Sequence, residues 1–422
     1  MCCSVNFKEI SQDIVGKCYV LFVIFSSTLA MSIQAADMSL SQDQDSLKNV
    51  FAACSSFTNI LYKNLSTIIN DNVVTSPLSL HMILSLLVNG ADGTTLDELK
   101  SVLHHNDSSS LNNEFKALIP LLNNIGNLEL HIANSAYIQD NFELMADFLS
   151  VCTNVFQSSI SRVNFKDAVH AVEIINSWVK EATNEKIPDI ISAGDIDEDT
   201  KVILLNAIYF KSKWQKPFDP TLTQNRKFHI SKTEANLVPM MFKKSKYVNG
   251  KIPAWHSKFI EIPYLNQDVV MIILLPDEDV ELQTLEDNFD WKTLAKEPTS
   301  IENIELYLPK FKFEITLKLK ETLRKIGLKT MFEDIADFRR LSKIPLKVGK
   351  VLQKVFIEVN EEGSEAAAAS DVMVRMRRMT ILEEKFVVDR PFMFMIQHKP
   401  SKIPLFLGSV RKIKSSLEKD EL

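Results

Sequence analysis

The sequence predicts an α+β fold. Helix-like runs are gathered in the first half, strand-like runs dominate the second, and the two are mixed by segregation rather than by regular alternation. The chain has 422 residues, of which 45% are hydrophobic and 24% charged. That is enough apolar surface for a large core, and it excludes bulk disorder. No internal repeat, long linker or second domain is visible.

In chain order, Ser46 to Leu103 reads as helices and Asn113 to Leu122 as another. A strand follows at Glu129 to Ile138, then helices at Phe142 to Phe156 and Ala168 to Ala182. From Val202 to Glu261 the pattern turns to strands with turns. Val269 to Leu275 is a continuous apolar run, as in a strand buried on both faces. Leu282 to Leu294 and Leu317 to Ile326 read as further helices. Ile304 to Phe313, Val351 to Asn360, Lys385 to Val388, Phe392 to Ile396 and Leu405 to Arg411 read as strands.

The ends carry addressing signals. Cys18 to Ala36 contains no charge, follows Lys17, and passes from an apolar core, Cys18 to Phe25, to small residues. This reads as a secretory signal peptide over residues 1–35 rather than a membrane anchor, because its second half is rich in Ser, Thr and Gln. Stable membrane insertion is not expected. Lys419, Asp420, Glu421 and Leu422 form a tetrapeptide of the kind read by the retrieval receptor of the endoplasmic reticulum. Residence there, with partial secretion to the extracellular space, is the expectation. Cys54 and Cys152 remain after the signal and read as two buried free thiols, since one pair makes no disulfide framework. Asn64 and Asn106 head glycosylation acceptor triplets.

Net charge is −6, which argues against nucleic acid as a partner. Lys243, Lys244 and Lys246 read as a solvated loop. No nucleophile elbow, zinc-helix motif or phosphate-cradling glycine loop is present, so no enzymatic activity, metal or cofactor is expected. His104 and His105, adjacent in sequence, cannot face one site on a helix and read as a surface pair.

The most informative stretch is Glu361 to Met379. Gly363 is followed by Ser364, Glu365, Ala366, Ala367, Ala368, Ala369 and Ser370. At period two, Ser364, Ala366, Ala368, Ser370, Val372 and Val374 form one small or apolar face, with Glu365, Asp371 and Arg375 opposite, as in a strand with one buried side. Four successive alanines would otherwise favour helix. The conflict points to a segment exposed in one state and a strand in another. A basic cluster, Arg375, Met376, Arg377 and Arg378, follows as a protease bait.

This stretch resembles the hinge and reactive loop of the serpins, and the resemblance runs from about Asp43 to Lys412. Ser76-Pro77-Leu78-Ser79, Asn89-Gly90-Ala91 and Asn134-Ser135-Ala136-Tyr137 carry it early. Asn206 to Lys211 with Trp214 and Phe218, Val359 to Gly363, Asp389 to Phe392, and Leu405 to Gly408 carry it later. Gln353 departs from the pattern: many members place a histidine there, hydrogen-bonded near Ser76 and Asn206.

The resemblance implies three β-sheets with about nine helices. It implies a serpin domain over 36–418 with a reactive loop at 361–384, a hinge from Glu361 to Ser370, and a central-sheet opening region at Ser76, Asn206 and Gln353. It also implies a monomeric suicide-substrate inhibitor of serine proteases. Arg375, Arg377 and Arg378 match the R-x-[K/R]-R pattern of furin-like proprotein convertases, which would cut between Arg378 and Met379. Loop-length counting from Gly363 would place the cut between Arg377 and Arg378, and a trypsin-like target needs one arginine only. A non-inhibitory chaperone of the endoplasmic reticulum is the alternative from another class, disfavoured by the small hinge.

Overall fold

The computed structural model describes residues 46–105, 108–123, 125–126, 128–197, 200–363 and 384–415. The chain divides into two compact units, residues 1–49 and 50–422. Of the first, only residues 46–49 are described, and they are helical. The signal segment, Asn106, Ser364 to Ser370, the arginine cluster with Met379, and the terminal tetrapeptide lie outside the described residues.

Among the described residues, fourteen strands form two hydrogen-bonded networks. The first has β10 (Phe311–Lys318), β11 (Lys350–Val359), β4 (Val202–Lys211), β2 (Glu129–Gln139) and β3 (Ser159–Val163) in that order. The second runs β1 (Val73–Thr75), β14 (Ile403–Val410), β13 (Phe392–His398), β8 (Val269–Pro276), β7 (Ser257–Pro263), β6 (Ala235–Ile252), β9 (Ser300–Pro309) and β12 (Glu384–Val387), with β5 (Gln224–His229) on β6. The three expected sheets become two networks because β6, 18 residues long, serves two of them. Its first part pairs with β5, its middle with β9, and its end with β7.

The helices among the described residues are α1 (46–68), α2 (Pro77–Val88), α3 (Gly93–Leu103), α4 (Ser108–Asn123), α5 (Ala146–Asn154), α6 (Ala168–Ala182), α7 (Leu282–Asn288), α8 (Trp291–Leu294) and α9 (Lys320–Lys325). All twelve residues of α2 are buried. It packs against β14 of one network and against β4 and β2 of the other, so it has no solvent face, as expected of a helix apolar on all sides. Ser76 caps it, and Pro77 takes the first helical position, where its missing N–H costs nothing. Amphipathic α6 covers the other face of the central sheet, with Ala171, Ile175 and Val179 against Tyr137, Leu205, Ala207, Leu352 and Phe356.

Several sequence expectations change. Val73–Thr75 interrupts the first helical stretch because it pairs with Leu407, Gly408 and Ser409 at the edge of β14. Asp290 accepts from Thr293 N and starts a new helix, which splits Leu282 to Leu294 into α7 and α8. Leu317 lies in β10, opposite Gln353, so the helix after it begins only at Lys320. The strand expected over Ile304 to Phe313 is two strands in two networks, β9 and β10, parted at Lys310. Lys243, Lys244 and Lys246 are in β6, not in a loop.

Candidate functional site

The site is the seam between β11 and β4 in the middle of the central sheet. These two strands are parallel, with Gln353 opposite Asn206. Asn206 in turn stands opposite Asn134 across β4 and β2. Three amides thus share one row of three strands that are otherwise largely apolar. A buried amide in such a row costs stability unless it is hydrogen-bonded.

All four hydrogen-bonding capacities of Gln353, which is 0% exposed, are used. Its Oε1 accepts from Thr75 Oγ1 at 2.6 Å and from Ser76 N at 3.0 Å. Its Nε2 donates to Ser76 O at 3.0 Å and to Asn206 Oδ1 at 2.6 Å. Asn206 Nδ2 donates to Asn134 Oδ1 at 2.7 Å and to Ser79 Oγ. The network joins β2, β4 and β11 to the start of α2, and it contains no group that titrates near neutrality. The structure thus brings Ser76, Asn206 and Gln353 together, as the resemblance implied. It adds Thr75, Ser79 and Asn134, which sequence reasoning left out of the site. The legible signal was Asn206 alone among the apolar residues Val202 to Tyr209, since a polar group there needs partners.

The seam is open at one end. Its ladder runs from Lys350–Ile203 to Phe356–Tyr209, while β11 continues to Val359 paired with β10. Just beyond, the chain turns. Gly363 has φ +118°, a conformation that side chains with a Cβ rarely adopt, and a Cβ there would lie 2.2 Å from Ser212 O. Trp214 N donates to Glu362 O at 2.8 Å, and Phe218 N donates to Glu361 O at 2.7 Å. The buried Trp214 indole stacks on Tyr264, with centroids 4.5 Å apart, and its Nε1 donates to Asn360 O at 2.9 Å. Glu361 takes Thr223 Oγ1 at 2.8 Å and Lys310 Nζ at 2.8 Å. Burial pushes the Glu361 carboxyl upward, but the bonds from Lys310 and Thr223 outweigh it and hold it below its ordinary value.

The seam lies between two parallel neighbours. Parallel neighbours can both pair antiparallel with a strand placed between them. Residues 52–413 match the family model described as serpin (serine protease inhibitor). This chain belongs to the serpin family. The family description is that of serine protease inhibitors. Serpin B6 of Pongo abelii is 34% identical over 358 residues, covering 82% of this chain and 95% of that protein. Leukocyte elastase inhibitor of Xenopus tropicalis is 34% identical over 374 residues, covering 86% and 99%. A solved serpin of the insect Tenebrio molitor superposes with a TM-score of 0.79 at 30% identity, covering 87% of this chain and 98% of that one.

Other sequence-marked residues of this serpin fall as follows. Asn64 is inside α1, with Nδ2 donating to Ile60 O at 2.9 Å, and Ser66 of its triplet is 1% exposed. Cys54 and Cys152 are buried free thiols, each pushed up to about 12 by burial. His104 is exposed, but His105 is buried, a correction to the surface-pair expectation. His104 adopts a left-handed conformation that ends α3. The turn sends His105 inward, where its Nδ1 meets Glu114 at 3.4 Å.

Proposed function

We propose that this serpin is a suicide-substrate inhibitor of a furin-like proprotein convertase in the secretory pathway. The observation that carries the reading is the unzipped end of the β11–β4 seam beside the turn at Gly363. It receives the small-faced sequence Ser364 to Ser370. A protease attacks the loop as substrate and forms an acyl intermediate. The freed hinge side then enters the seam as a new antiparallel strand. Serpin loop insertion is itself a stock example of such transitions. About a dozen new ladder bonds at ~0.5–1.5 kcal/mol each amount to ~10 kcal/mol. That is on the scale of a whole domain's stability and suffices to distort a tethered protease. A proline or a charge on the inward face would stall entry, and none is present.

Arg375, Arg377 and Arg378 support a convertase as target, since its subsites are acidic and arginine pairs bidentately with carboxylates. The signal-like N-terminal segment and Lys419 to Leu422 support the same compartment, held by a retrieval receptor with part of the protein secreted. The second reading, inhibition of a trypsin-like protease cut after Arg377, is favoured by the spacing from Gly363. The small hinge weighs against a non-inhibitory chaperone.

The test is to mix the purified protein with a convertase and with trypsin, run a denaturing gel, and sequence the released C-terminal peptide by mass. A complex that survives denaturation with the convertase and a peptide beginning at Met379 are expected. A peptide beginning at Arg378 moves the bond to Arg377, and the absence of any stable complex removes inhibition. Arg375→Ala should slow the convertase about ten- to a hundredfold and spare trypsin, because it removes one charge-assisted pair worth about 1.5–3 kcal/mol. Deleting Lys419 to Leu422 should move the protein into the medium; equal secretion removes the retrieval claim.

A further inference from the structure

Residues 211–258 hold eleven lysines and arginines against two acidic residues, a net charge of +9 in a chain that carries −6 overall. The fold places part of this charge beside Gly363 and Glu384, the described residues that flank 364–383, with Glu305 opposite Lys244 and Glu384 itself as the carboxylates there. At one end, Gly363 bridges to Lys213, and Lys216 lies on the same turn. Lys243 of β6 reaches over to that turn, its Nζ donating to Pro217 O at 3.1 Å and to Lys216 O. Burial and the neighbouring Lys216 pull the Lys243 amine down to about 8. At the other end, Glu384 pairs with Ile304 of β9, and Ile304 pairs with Ser245 of β6. Ser245 sits between Lys244 and Lys246, both exposed. Arg226 of the adjoining β5 is exposed too, its guanidinium 4.2 Å from the centre of the Tyr307 ring.

We propose that this basic face, with Lys213, Lys216, Arg226 and Lys246 as its exposed cations, is a second docking surface for the protease that attacks the loop, and that it selects proteases with an acidic surface around their active site. The inference rests on the reading of 364–383 as protease bait. A protease engaging the bait is tethered by chain that ends at Gly363 on one side and Glu384 on the other, and this tether brings its surface toward the residues beside these ends. The bait selects the same chemistry, because an active site that accepts Arg375, Arg377 and Arg378 is lined by carboxylates. Complementary charge next to the bait raises the encounter rate and orients the complex.

Two trypsin isoforms with the same bond preference, one anionic and one cationic, separate surface from bait. First contact is measured with catalytically inactive forms of both, and trapping with active forms. The expected result is tighter binding and faster trapping of the anionic form, with both advantages shrinking about tenfold as salt rises from ~50 to ~500 mM. Lys216→Glu with Lys246→Glu should lower the anionic on-rate about tenfold, leave the cationic one no slower, and keep the inhibitor-to-protease stoichiometry unchanged. Equal treatment of the two isoforms by the parent protein overturns the proposal. So does an equal loss for both in the double variant, which would mean damage to the fold. Retention on heparin or DNA without discrimination between the trypsins would assign the face to a polyanion and overturn it as well. Charge-dependent contact with inactive anionic trypsin, without trapping by the active form, would sustain the docking surface and sink the inhibitory reading.

Discussion

Gln353 on β11 and Asn206 on β4 face each other across a parallel pair of strands, with Gln353 Nε2 donating to Asn206 Oδ1 at 2.6 Å. The bond joins the two strands that the proposed insertion has to part. Each partner is also tied to α2, Gln353 through Ser76 and Asn206 through Ser79. The amide pair is therefore tied to the first turn of α2 as well as across the strands.

Replacing Gln353 by Ala should orphan buried groups on Thr75, Ser76 and Asn206. Leaving such groups unpaired costs about 1–3 kcal/mol each, less where a neighbour or water can substitute. A net loss of ~2–4 kcal/mol in denaturant unfolding is expected, with faster self-insertion or oligomer formation on warming. Gln353→His should keep most of the stability at neutral pH and add a pH-dependence near pH 6–7 that the parent pair lacks. An amide pair indifferent to Ala, by unfolding and by native gel, would remove its role.

Gly363→Ala should strain the intact protein and not the cleaved one. In the intact state the added Cβ meets Ser212 O at 2.2 Å and the backbone sits at φ +118°. On the proposed strand insertion that turn opens into an extended form, which alanine adopts freely. The melting midpoint should drop by several degrees before nicking in the loop and change little after it. Equal drops in both states would mean that the turn survives cleavage.

Ser364→Arg should turn the inhibitor into a substrate, because a charge cannot follow the strand into the sheet. Cleavage should stay fast while the yield of stable complex falls. The companion expectation is a higher melting midpoint for the parent protein once its loop is nicked by a non-target protease. Unaltered trapping by the arginine variant, or an unaltered midpoint, would refute insertion.

Acid should weaken the fold through His81. It is fully buried in α2, and burial, with the His105 ring 5.0 Å away, holds its imidazole down to about 3. His104 adds a smaller push in the same direction, and Glu114 faces His105. In the unfolded chain His81 takes up its proton near the ordinary value of about 6.5. The folded state therefore binds fewer protons between pH 6.5 and 3. This contribution to stability is fully present above pH 6.5 and is lost as pH falls toward 3. Between pH 7 and pH 5 the loss is about 2 kcal/mol. His81→Gln keeps a donor for Leu103 O, which His81 Nε2 meets at 3.1 Å. The variant should remove that much of the pH slope in denaturant titrations; identical slopes would refute the assignment.

Much of this protein is local chemistry and could be read along the chain. The apolar run Val269 to Leu275 and the helical stretch Ala168 to Ala182 each announce their state, because neighbours one to four residues apart set it. The arginine cluster and the family motifs are equally local. Only the tertiary structure decided the rest. Gln353 meets Ser76 across 277 residues and Asn206 across 147. No periodicity fixes that all its bonds are satisfied or that the ladder stops at Phe356. Lys243, Lys244 and Lys246 look like a polar loop until β9 supplies the partner strand that makes them one rim of a sheet. His105 looks exposed until the left-handed turn at His104 aims it at Glu114. In each case the deciding term is the partner brought in by the fold, since a polar group's state depends on which hydrogen bond replaces the water it gives up.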